Sequence, residues 1–126
     1  MRTKLFACVM IVALFSACSL FRSGPAATVI AFFHAVDDGE LDKSIDYVSQ
    51  AFVAQMGRQK LTGALGEMQR QIKSRGGIAS ITTDAETVTG ETAEVRSTIH
   101  FKNGTSQPDR TKLQKENGTW RIAPSK

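Results

Sequence analysis

Between Pro25 and Gly77 apolar residues recur every three or four positions, and beyond Gly77 they recur every second one. The first spacing lays a stripe along one side of a helix, and the second puts alternate side chains on one face of a strand. Val29, Phe32, Phe33 and Val36 make the first stripe, which Ser23 and Pro25 introduce and Asp37-Asp38-Gly39 stops. Leu41, Ile45 and Val48 predict a second helix, with Asp42 placed to cap its start. Ala51 to Gly57 reads as an apolar connection of no definite form. From Arg58, the row Leu61, Leu65, Met68 and Ile72 predicts a longer third helix, weakened by Gly63 and Gly66 and ended by Gly76-Gly77. Its other side carries Arg58, Gln59, Glu67, Arg70 and Lys73.

After Gly77 the chain turns to strands. Ile78 to Val88 is rich in Ile, Thr and Val, and Ala93, Val95, Ser97, Ile99 and Phe101 alternate with Glu94, Arg96, Thr98 and His100. Asn103-Gly104 and Asn117-Gly118 predict two hairpin turns of type I′, with a strand over Arg110 to Lys115 between them and another over Thr119 to Ala123. Both Asn-Gly-Thr triplets therefore read as turns rather than as glycosylation acceptors. The sum is an α+β domain: three N-terminal helices packed on a curved four-stranded antiparallel sheet.

The longest apolar run precedes all of this. Arg2 and Lys4 lead into Leu5–Phe15, and small residues follow at Ser16 and Ala17 before Cys18. That is the plan of a secretory signal, and the run is well short of the roughly 20 residues that span a bilayer. Phe15-Ser16-Ala17-Cys18 resembles the lipobox of bacterial lipoproteins, with Phe15 where leucine is usual. The resemblance implies cleavage before Cys18 and diacylglyceration of its thiol. Residues 1–17 are then a signal peptide, 18–24 a lipidated tether and 25–126 the domain. Six residues of tether reach at most about 20 Å, so the domain sits close to the membrane. Ser19 rather than aspartate after the cysteine points to the outer membrane of the cell envelope, where the cell has one.

Composition narrows the picture further. Hydrophobic residues make up 41% and charged residues 22%, the balance of one globular domain. Cys8 and Cys18 are the only cysteines, so the chain from Ser19 onward has no thiol for a disulfide, a metal or nucleophilic catalysis. The formal net charge of +4 falls when Arg2 and Lys4 leave, too little to imply a nucleic-acid partner. Seven basic and two acidic residues follow Val95, whereas Cys18 to Val95 holds seven and ten, so the strands carry the positive charge. An anionic headgroup surface or an acidic partner would suit them.

Several phrases together, TVIAFFHAVDDGELDKSIDYVS, KLTGALGEMQRQIKSRGGI, TAEVRSTIHFKNGT and TKLQKENGTWRI, resemble the small lipoprotein domains of unknown function in the nuclear-transport-factor-2-like superfamily. Phe32 and Phe33 match the aromatic first helix, Gly39 the break after it, and Trp120 and Ile122 the closing strand. The resemblance implies a cone in which a curved sheet wraps the helices, often around a pocket, as in the lumazine-binding-like and polyketide-cyclase-like members. It implies no shared activity, and the catalytic patterns of the superfamily's enzymes are not recognisable here.

Candidate chemistry is sparse. His34 falls at the edge of the first helix's stripe and His100 faces away from the helices, so neither predicts acid–base catalysis. Asp37, Asp38, Glu40, Asp42 and Asp46 cluster at helix ends, where acids are caps and solvated charge rather than a metal site. No catalytic residue, metal site or cofactor is therefore expected. Trp120 shares a strand phase with Ile122 and is expected in the core. Phe33, Tyr47 and Trp120 are the candidates for lining a pocket. The expected protein is a lipid-anchored envelope lipoprotein that binds a small apolar ligand or an envelope protein without catalysis. An enzyme using an acid–base residue in the cone and a purely structural envelope protein are the alternatives.

Overall fold

The structure, a computed structural model, describes residues 24–124. Cys18, the signal segment and most of the tether lie outside the described residues. Four helices come first, α1 (Pro25–Asp37), α2 (Leu41–Ile45), α3 (Gln50–Met56) and α4 (Arg58–Ser74). Four strands follow, β1 (Ile78–Thr89), β2 (Thr92–Phe101), β3 (Ser106–Glu116) and β4 (Thr119–Ile122), paired antiparallel in chain order. The α+β arrangement is the expected one, with one helix more than the periodicity gave.

That extra helix is the segment read as a connection. Ser49 caps it, its hydroxyl accepting the Phe52 N–H at 3.5 Å. The second helix is shorter than expected: it ends at Ile45, and Val48 instead forms a parallel bridge with Ile122. Asp42 lies in the first turn of α2 rather than at its cap and pairs with Arg58 at 3.5 Å.

Two irregularities in the β1–β2 register, between Ile78 and Ser80 and between Thr83 and Ala85, bend the sheet. Its helix-facing side presents Ala93, Val95, Ile99, Phe101 and Leu113, which meet Val29, Phe32, Phe33 and Val36 of α1 and Leu61, Leu65 and Ile72 of α4 in one core. Trp120 belongs to that core and is 8% exposed. The ends of α1, α4 and β1 are tied at Asp37. An acid at a helix C-terminus is unfavourable in itself. Here its Oδ1 lies 3.0 Å from Lys73 Nζ, and its Oδ2 accepts the Ile78 N–H at 3.3 Å. Gly77 permits this, because at φ +91° a Cβ there would lie 3.3 Å from Asp37 Oδ1.

The hairpin turns differ from one another. Asn117 and Gly118 both have positive φ, 50° and 77°, the type I′ turn the sequence predicts. Asn103-Gly104 is not such a turn, since only Gly104 has positive φ. Asn103 uses its side chain instead: Oδ1 accepts from the Thr105 N–H at 3.0 Å and from its hydroxyl at 2.6 Å. The Gly104 N–H returns to the Phe101 carbonyl at 3.0 Å, giving a longer loop.

Candidate functional site

Along β3 the sheet has two different borders. From Leu113 to Glu116 the strand pairs with β4, whereas from Ser106 to Arg110 it pairs, among the described residues, with β2 alone. Pro108 fits such a border, because a strand interior would require the N–H it lacks. This strand begins earlier than the expected Arg110, and the extra residues bring Gln107 and Asp109 onto the sheet's helix-facing side beside Ile99 and Ser97.

The C-terminal half of α4 stands over this open border and leaves a cavity of about 160 Å³. Phe33, Met68, Ile72, Ile99 and Phe101 form its apolar wall, and Gln71, Arg75, Gln107 and Asp109 its polar rim. The Arg75 guanidinium lies 4.8 Å from the Phe101 ring centroid and donates to Gln107 Oε1 at 3.0 Å. Asp109 Oδ2 accepts the Thr111 hydroxyl at 2.6 Å. Directly across the strand pair from Asp109, Ser97 is 2% exposed and its Oγ has no hydrogen-bond partner among the described residues. An apolar wall with a few convergent polar groups is the usual construction of a small-molecule site.

The other border is sealed. Ile122 N–H donates to the Tyr47 carbonyl at 2.7 Å and Ser49 N–H to the Ile122 carbonyl at 2.9 Å, so residues around Val48 run beside β4. Glu116 locks the same corner, accepting from Ser49 Oγ at 2.7 Å, Gln50 N–H at 2.9 Å and Gln114 Nε2 at 2.6 Å. Partial burial pushes the Glu116 carboxyl up, but these three donors and the charge of Arg121 outweigh it, and the group is held below its ordinary 4.5.

The three candidate ligand residues do not share one place. Phe33 lines the α4–β3 cavity, while Tyr47 and Trp120 line a separate surface cleft between α1 and β4 with Ala27, Thr28 and Ala31. Lys115 Nζ lies 5.2 Å from the Trp120 ring centroid. His34 is exposed on α1. His100 lies on the outer side of the sheet, its two ring nitrogens 3.1 Å from Thr82 Oγ1 and 2.9 Å from Ser106 Oγ. The acidic residues near α2 disperse into separate contacts, with Glu40 on Lys43 at 3.3 Å and Asp42 on Arg58 at 3.5 Å. Among the described residues no three His, Cys, Asp or Glu side chains are grouped to hold a metal, and no helix is long and apolar enough to cross a membrane.

A family model matches residues 16–123 of this chain. The chain belongs to DUF4878, a domain of unknown function. No curated protein matches it. Among solved structures, this DUF4878 domain is similar to a Campylobacter jejuni protein described as an NTF2-like transpeptidase. The TM-score is 0.73 at 19% identity, covering 82% of this chain and all of that one. It is also similar to a SEC-C motif containing protein from Rhodopseudomonas palustris, with a TM-score of 0.57 at 12% identity over 81% of this chain and 77% of the other. At such identities the likeness establishes the nuclear-transport-factor-2-like fold.

Within this DUF4878 domain the sequence pattern did not single out Met68, Gln71, Arg75, Gln107 and Asp109 as neighbours. One signal was present: Ser97 interrupts the apolar row of β2, and a polar residue in a core-facing row marks a place where the interior is not purely apolar. Arg75 gave no signal, because it follows the last turn of α4 and meets β3 only through the fold.

Proposed function

We propose that this protein is a cell-envelope lipoprotein, anchored in the membrane through acylated Cys18, whose domain binds a small ligand with an apolar body between α4 and the open border of β3. The observation that carries this reading is the composition of that cavity. Phe33, Met68, Ile72, Ile99 and Phe101 offer a ligand apolar contact, and four polar side chains at the rim can fix its orientation. Its volume of about 160 Å³ suits a group of the size of benzene, which a cavity of about 150 Å³ accepts. The lipobox-like Phe15-Ser16-Ala17-Cys18 supports the anchor. In this reading the domain works by binding alone.

The test is native mass spectrometry of the full lipoprotein purified from its own envelope, with and without Met68→Trp, which fills the cavity. A retained small molecule lost in the variant is the expected result; retention by both proteins would place the ligand elsewhere. A Cys18→Ala chain should lose fatty-acid labelling and membrane fractionation, and unchanged labelling would remove the anchor from the account.

A further inference from the structure

Arg75 and Asp109 line the same small cavity with opposite charges, yet among the described residues no ion pair joins them. Each is held in place by a neutral partner instead, Arg75 by Gln107 and the face of Phe101, Asp109 by Thr111. Two opposite charges fixed at one rim without meeting leave a gap that a dipolar molecule would close. We infer that the ligand is zwitterionic and amino-acid-like, its carboxylate on Arg75, its ammonium on Asp109 and its apolar side chain against Phe33 and Met68. This rests on the binding reading above and goes further by naming the ligand's chemical class.

The spacing supports that class. Gln107 and Asp109 are two residues apart on one face of β3, hence about 7 Å between α-carbons. The Arg75 guanidinium reaches the Gln107 end of that interval at 3.0 Å. A carboxylate and an ammonium on a single carbon, each making a charge-assisted hydrogen bond of about 2.8 Å, can reach two groups set at neighbouring same-face positions of one strand. Ser97, across the strand pair from Asp109, is a 2% exposed hydroxyl without a partner among the described residues, and it lines the neighbouring cleft with Asp109, Arg96 and Arg110 rather than this cavity. An apolar wall and a volume of about 160 Å³ set the side chain's size at a phenyl or isobutyl group.

Methyl-labelled methionine NMR of the full lipoprotein in detergent tests this directly, because Met68 lines the cavity and Met56 on α3 serves as a reference away from it. The probes are phenylalanine in both enantiomers, 3-phenylpropionate, which lacks the ammonium, and 2-phenylethylamine, which lacks the carboxylate. Phenylalanine in at least one enantiomer should shift Met68 at a concentration at least tenfold lower than either single-charge probe does, with Met56 unmoved. In Arg75→Gln phenylalanine should bind no better than 2-phenylethylamine, and in Asp109→Asn no better than 3-phenylpropionate. Equal binding of all probes would overturn the zwitterion while leaving the cavity a binding site; absence of any Met68 shift would remove both. The ranking on the unmodified protein decides the matter even if a variant fails to fold.

Discussion

The two halves of β3 belong to one strand and one hairpin, yet they meet opposite surroundings. At Leu113–Glu116 the strand is covered by β4, and β4 is covered in turn by the Tyr47–Ser49 segment through two backbone hydrogen bonds and the Glu116 cluster. At Ser106–Arg110 no further strand among the described residues pairs with it, and Arg75, just past the end of α4, reaches across by a hydrogen bond to Gln107. The sealed half uses its polar side chains on one another. The open half leaves the buried Ser97 hydroxyl without a partner among the described residues, and its two rim charges, Arg75 and Asp109, bonded to neutral groups rather than to each other. Hydrogen bonds satisfied within the fold contribute stability, whereas groups left incompletely paired are available to a ligand at some cost in stability. The molecule thus divides stability and binding between two ends of one strand.

The largest expected effect falls on the sealed half. Trp120→Ala removes a core side chain and should cost about 3–5 kcal/mol, lowering the melting temperature by more than about 10 °C for a domain of this size. A thermal melt checks it, and an unaltered midpoint would mean that this border does not hold the domain together.

Next in size is the Glu116 lock. Glu116→Gln discards the charge that accepts from Ser49, Gln50 and Gln114 and should cost about 1 kcal/mol at neutral pH. Its signature is the pH dependence. A carboxyl held below 4.5 in the folded protein contributes stability that is fully present above 4.5 and is lost as the pH falls through the lowered folded value. Denaturant melts across that acidic window should therefore bring the parent and Glu116→Gln together as the pH drops. A constant difference would assign the effect to packing.

How much of this division could be read from the sequence is clear from particular residues. The core stripe of α1, the row Leu61-Leu65-Ile72 of α4 and the alternation in β2 were legible, because each depends only on a local period. The type I′ turn at Asn117-Gly118 was legible for the same reason. Asn103-Gly104 misled, since the Asn103 side chain took the bonds that a two-residue turn would have given to backbone. The short helix α3 was hidden because seven residues carry too little periodicity, leaving the Ser49 cap as its one marker. The candidate site was hardly legible. Pro108 disguised the start of β3, and Arg75, Met68 and Asp109 are neighbours only after the sheet and α4 are assembled.

Ser97 sharpens the contrast at a smaller scale. Replacing its unpartnered hydroxyl by Ser97→Ala should leave stability unchanged or raise it by up to about 1 kcal/mol. Because Ser97 lies outside the cavity lining, the same change should leave phenylalanine binding at Met68 unaltered. A destabilised variant would show that the hydroxyl serves the fold.

The smallest effect is expected at His34, exposed on α1 and outside both halves. His34→Gln should change stability by less than about 0.5 kcal/mol and leave Met68 titrations unaltered. Tenfold weaker binding with an intact fold would move the site toward α1.

Hydrogen exchange along β3, with and without saturating phenylalanine, tests the division most directly. Without ligand, the amides of Leu113–Glu116 should exchange more slowly than those of Ser106–Arg110. Added phenylalanine should slow Ser106–Arg110 and the end of α4 around Arg75, leaving Leu113–Ile122 as it was. Protection that appears instead around Tyr47 and Trp120, or equal exchange in both halves of the strand, would contradict the account.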